Sequence, residues 1–168
     1  MPAPTCILAL AGGQVSPTNQ LPLLFTATFS QPVWGLNAED IDVTFEGNPW
    51  NDVTITAGVD GDAVYTISVN NLIATGEVIV TVPADAAQNQ YAEGNIVSNP
   101  QNCVFDITRP TPTITLVSPN PTNLSPVVYT VEFSEPVFGF DANALTVTGP
   151  FPGGIATINI IPVGLGQT

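Results

Sequence analysis

Fourteen carboxylates and a single cation, Arg109, carry all the side-chain charge of this 168-residue chain, and it has neither histidine nor lysine. Acid–base and nucleophilic catalysis need a base beside the reacting group, with a pKa near the working pH. The serines here fall in strand-like or turn-like runs with no such base, which points away from an enzyme. A glycosidase-type carboxylate pair would have to come from Glu39, Asp40 and Asp42. In a chain this acidic those residues read as a solvated loop. Two oxygen-rich segments suit a hard cation better: Asp60-Gly61-Asp62, and Asp85 with Asn89, Glu93 and Asn95. Calcium binds through carboxylates, amides and carbonyls of this kind, so it is the candidate cofactor. The spacing is not that of an EF-hand, and the competing reading is of Asp-Gly turns chosen for backbone geometry. Trp34 and Trp50 are candidates for stacking on a glycan or protein ligand. The competing reading of Trp34 is a plug at a corner of the fold.

Cys6 and Cys103 bracket the first hundred residues. A pair so placed fits a disulfide tying the first strand to the last, and hence an oxidising compartment; the alternative is two buried free thiols. Two cysteines without histidine do not make a zinc site.

Charge narrows the partners. A net charge of −13 leaves nothing to neutralise phosphates, which excludes nucleic acid, and an anionic membrane surface would repel the chain. No apolar run reaches the roughly 18 residues that membrane insertion needs. The opening MPAPTCILALAGG lacks a basic segment and reads as a strand, not a signal peptide. Only 9% of residues are charged while 44% are hydrophobic, so the core can be sizeable and the surface must rely on Thr, Asn, Ser and Gln.

The elements that would position these residues come in two copies. Residues 16–44 align without gaps on 120–148 and match at 13 of 29 positions. Upstream, Pro4-Thr5-Cys6-Ile7-Leu8 matches Pro112-Thr113-Ile114-Thr115-Leu116 if the first copy holds four extra residues around Gly12-Gly13-Gln14-Val15. The chain therefore reads as residues 1–109 and 110–168, joined by a short, stiff linker at Arg109, Pro110 and Pro112.

Alternation has period 2 throughout: Leu23, Phe25, Ala27 and Phe29 fall on one face, as do Val127, Tyr129, Val131 and Phe133 in the second copy. Further strands are expected at Ile41/Val43/Phe45, Val53–Thr56, Tyr65/Ile67/Val69, Val78/Val80/Val82 and Val104–Thr108. Short β-branched runs between Gly, Pro, Asn and Asp turns predict an all-β, two-sheet antiparallel sandwich. In the repeated phrase FTATFSQPVWGL and YTVEFSEPVFGF, Pro32 and Pro136 are expected to stop their strands, since proline gives no N–H to a ladder. Val33 with Trp34, or Val137 with Phe138, then covers the sandwich end. Gly35 or Gly139 takes φ > 0, and Asn37 or Asp141 closes an Asx-type turn. The second copy lacks counterparts of the Tyr65, Val78 and Val104 strands, so half a sandwich is left for missing sequence or a neighbouring subunit to complete. Asn123-Leu124-Ser125 has the form of a glycosylation site, weakened by Pro126.

The run SPNPTNLSPVVYTVEFSEPVFGF (118–140), with YTISVNNLIATGEVIVTVPADAAQNQYAEGNIVS (65–98) and its Gly94-Asn95 loop, resembles the bacterial Ig-like repeats of large surface proteins and adhesins. Similar modules occur in algal cell-surface and flagellar-hair proteins. The resemblance covers the first copy and about half of the second; Gln31 departs from it, and Cys6 and Cys103 are not part of its pattern. It implies tandem immunoglobulin-like sandwiches, the second incomplete. It also implies an extracellular structural, spacer or adhesive role without catalysis, with other copies or further repeats as partners.

Overall fold

The computed structural model describes residues 2–123, 125–149 and 157–161. Ten strands and two 3₁₀ turns form among them, no α-helix does, and the chain divides into two compact units, Met1–Thr108 and Arg109–Thr168.

In the first unit the period-2 segments become β1 (Cys6–Leu10), β2 (Leu23–Val33), β3 (Asp42–Phe45), β4 (Asn48–Pro49), β5 (Val53–Ala57), β6 (Asp62–Val69), β7 (Gly76–Thr81) and β8 (Gln101–Phe105). They pair antiparallel in two four-stranded sheets, ordered β1-β2-β6-β5 and β4-β3-β7-β8. Alternate side chains from both sheets merge in one buried cluster, with Leu8, Leu23, Phe25, Ala27 and Ile67 from one and Val43, Val78, Val80 and Phe105 from the other. Burying each large apolar side chain contributes about 1.5–3 kcal/mol, which makes the shared core the main source of stability. The central pair is β2 with β6, in register from Leu23↔Val69 to Thr28↔Val64.

The second unit contains β9 (Pro112–Leu116) and β10 (Tyr129–Phe133), paired antiparallel from Pro112↔Phe133 to Leu116↔Tyr129. A 3₁₀ turn follows at Ala142–Ala144. The segments that correspond to β3 and β5, near 145–148 and 157–161, form no strand. In the first unit β3 pairs along its length with β7, and β5 pairs with β6. Among the described residues these segments have no counterpart of β6 or β7 to pair with, whereas β9 and β10 need only each other.

The structure corrects four expectations. First, Pro32 does not end its strand. The β2–β6 register shifts between Thr28 and Val33, and Pro32 sits inside that irregularity, where no ladder bond is asked of it. Second, the first copy holds two extra residues, not four. Thr5 N–H donates to Ser30 Oγ at 3.0 Å and Ser30 N–H to Thr5 O at 2.9 Å; Thr111 and Ser134 repeat this clasp at 3.0 and 3.1 Å. The clasped residues lie 25 apart in one copy and 23 in the other, so Thr111 is the counterpart of Thr5. Pro112 accordingly opens β9 and is not linker. Third, β8 ends at Phe105, short of Thr108. There the Asp106 carboxylate takes the Thr108 N–H at 2.9 Å and turns the chain.

Fourth, Cys6 and Cys103 are buried free thiols, not a disulfide. The final segment runs alongside β1, with Ile96 N–H on Pro4 O and Asn99 bound to Leu8. Cys6 is thus level with residues 97–98, while Cys103 lies several residues further on, its Sγ 3.7 Å from Val15 O. A residue of strand advances about 3.3 Å and a disulfide needs Cα atoms within about 7 Å, so the two cannot meet. Burial pushes the Cys6 thiol from its ordinary 9.0 to about 11 and raises that of Cys103, so neither ionises near neutrality.

Candidate functional site

Three surfaces collect the residues singled out by sequence. At one end of the first unit lies the corner built by the repeated phrase. Val33 and Leu36 are its buried residues, while Trp34 is half-buried, so the plug is aliphatic. Gly35 takes φ 82° and Gly139 φ 73°, as the turn requires. Asp40 Oδ2 accepts the Asn37 N–H at 3.0 Å, and Asp141 Oδ1 accepts that of Asn143 at 2.9 Å.

Trp34 lies between the two oxygen-rich loops. Its backbone exchanges hydrogen bonds with Gln88 at 2.8 and 3.0 Å, and its ring faces Gly61, where an added Cβ would stand 3.4 Å from Cζ2. The acidic side chains there serve the backbone. Asp60 Oδ1 accepts Gly35 N–H at 2.8 Å, and Asp62 Oδ2 accepts Val59 N–H at 3.0 Å across the turn in which Gly61 takes φ 92°. Asn89 Oδ1 accepts from Tyr91 and Glu93 N–H, and Asn89 Nδ2 donates to Glu93 Oε2 at 3.0 Å. Asp85 packs so closely on Gly94 that a side chain there would run into its carboxylate. Among the described residues no three of His, Cys, Asp and Glu come together as metal ligands. Of the five residues named for calcium, Asp60, Asp62, Asn89 and Glu93 brace turns and loops in this geometry.

Sequence reasoning counted Asn95 among the oxygens of the second loop, and missed Asn99 altogether. Asn95 is buried, accepts Ala87 N–H at 2.7 Å and donates to Pro83 O at 2.7 Å, holding the 83–96 loop from within. The Asn99 side chain accepts Leu8 N–H at 2.9 Å and donates to Leu8 O at 3.0 Å, so one amide takes the place of a strand residue on the outer edge of β1. Their side-chain chemistry allows this, but their partners lie up to 91 residues away, and no local pattern marks them.

The second surface is a cleft of about 400 Å³ lined by Asn37, Ala38, Glu39, Ile41, Trp50, Asn51 and Val53. Trp50 does not stand free: its Nε1 donates to Asn70 O at 3.1 Å, and its ring meets Phe45 edge-on at 5.8 Å between centroids. One side of a fixed indole therefore forms a wall beside a carboxylate and two amides.

The third is the sheet of the second unit. Pairing puts Pro112, Ile114, Leu116, Tyr129, Val131 and Phe133 on one face and Thr113, Thr115, Thr130 and Glu132 on the other. Val127 is 47% exposed and Tyr129 58%, where their counterparts Leu23 and Phe25 are 0% exposed. Phe138, the counterpart of Trp34, is 83% exposed. The Asn123-Leu124-Ser125 motif runs through Leu124, which lies outside the described residues.

No helix among the described residues is long and apolar enough to cross a membrane. Compared with known proteins, the chain matches no family model, no curated protein and no solved structure. What it can do must therefore be read from its own geometry.

Proposed function

We propose that the chain is a structural module of an extracellular surface protein or filament: tandem immunoglobulin-like sandwiches joined by a proline-bearing link, acting as a rigid spacer and assembling with other copies or further repeats. The observation that carries this reading is the recurrence of one hydrogen-bonded corner, Thr5 with Ser30 and Thr111 with Ser134, in two consecutive units. The sheet orders β1-β2-β6-β5 and β4-β3-β7-β8 support it, being those of an immunoglobulin-type sandwich with an added edge strand. The resemblance of 118–140 to surface-protein repeats supplies the extracellular setting. A sparsely charged, Thr- and Asn-rich exterior suits a part that bears load and performs no chemistry, and the lack of histidine and lysine favours a non-catalytic role. Small-angle scattering of the full chain tests the spacer. Wild type should give an elongated, narrow distance distribution, and Pro110→Gly should broaden it. A wild-type chain already as broad as the variant would end the rigid-spacer reading.

A second reading is favoured by the Trp50 cleft: a binding module for a glycan or protein. Quenching or a shift of tryptophan emission on adding neutral sugars, lost in Trp50→Ala, would support it.

A further inference from the structure

We infer that the outer edge of β10 pairs with β10 of a second copy of this chain, joining two second units into one four-stranded sheet. The inference names the partner and surface for the assembly role above and rests on that reading for its purpose. The geometry stands by itself. Along an antiparallel strand, backbone groups point alternately to one neighbour and the other. Val117 N–H bonds to Val128 O, and Ser134 N–H to Thr111 O, so even-numbered residues of this strand serve β9. Tyr129, Val131 and Phe133 therefore turn their N–H and C=O groups outward. On β2 the counterparts of Tyr129 and Val131, Phe25 and Ala27, pair with β6, and the second unit has no such strand among the described residues.

The other edge is less suited to pairing. On β9 the outward-pointing residues include Pro112, which has no N–H, so that edge is blunted. The β10 edge has no proline, bulge or inward charge.

The edge fits itself. An antiparallel pairing of YTVEF with its own copy, centred on Val131, joins Val131 to its twin and Tyr129 to the partner's Phe133, all through outward-pointing backbone groups. It extends the apolar face across the dimer and sets Glu132 opposite the partner's Thr130, so no carboxylates oppose each other. Charge agrees: eleven of the fourteen carboxylates precede Arg109, leaving the second unit close to neutral, so mutual repulsion is concentrated in the first.

Sedimentation equilibrium of the full chain over a wide dilution series tests this. Wild type should be a reversible dimer, and Val131→Pro, which deletes an N–H that β9 does not use, should be monomeric with an unchanged first-unit unfolding transition. Because that variant could also disturb β10, a pair of charge variants reads the register. Thr130→Lys should tighten the dimer about tenfold by facing Glu132 twice across the two-fold, and Thr130→Glu should loosen it by a similar factor. A wild-type chain that stays monomeric, or two charge variants that change affinity in the same direction, overturns the inference. The spacer reading is tested apart from it, since scattering from the monomeric Val131→Pro chain still reports the stiffness of the joined units.

Discussion

Phe25 and Tyr129 occupy the same place in two copies of one phrase, yet Phe25 is wholly buried and Tyr129 lies more than half in water. The strands that carry them are alike: each pairs antiparallel with its upstream neighbour, and each is clasped by a Thr–Ser pair at one end. What differs is the company. In the first unit β6 continues the sheet beyond β2, and β7 and β8 close the opposite face. Local sequence is therefore enough to form and register the hairpin, while burial of its apolar face depends on strands further along the chain. Secondary structure and core formation are separable here, and the two units separate them.

The largest expected effect tests that separation directly. Phe25→Ala should cost the first unit about 3–5 kcal/mol, as for a deleted core aromatic, read from the urea midpoint of tryptophan emission, since both tryptophans lie in that unit. Tyr129→Ala should change the protection of β10 against hydrogen exchange by less than about 1 kcal/mol. Equal costs would mean that the second face is covered after all.

A smaller effect is expected from pH. An unfolded cysteine ionises near 9.0, but folded Cys6 only near 11, so the folded state holds the proton that the unfolded state gives up. The stability this adds is complete below pH 9.0 and is lost as pH rises through about 11. The first unit's urea midpoint should fall over that window, and the thiols should react with alkylating reagents at neutral pH only after unfolding. The second unit has no cysteine and should show no such drift. Smallest of all, Ser30→Ala and Ser134→Ala should each cost about 1 kcal/mol, one clasp bond apiece. A clear inequality between them, measured by exchange at Thr5 and Thr111, would show that the corners differ in more than their surroundings.

Much of the fold was legible because alternation is a local signal. Leu23, Phe25, Ala27 and Phe29 are buried as the period of 2 requires, and the strands around Val43, Ile67 and Val78 lie where β-branched residues gather. The failures came where a distant partner decides. Pro32 looked like a terminator until the irregularity opposite β6 made its missing N–H harmless. Cys6 and Cys103 looked like a bridge because sequence shows which strands they occupy but not how far along one the other falls. The candidate site was less legible still. Asp60 and Asp62 advertise oxygens, and only the folded turn reveals that one oxygen of each accepts a backbone N–H. Asn95 was read as an oxygen donor and Asn99 carries no mark at all, because an amide's role as brace or edge is assigned by what comes to lie beside it.

Asn99 has a consequence for crowding. By taking both backbone groups of Leu8 at the middle of the outer side of β1, one carboxamide interrupts the ladder a neighbouring chain would need there. At high local density, chains packed side by side would then find the β1 margin a poor place to join sheets.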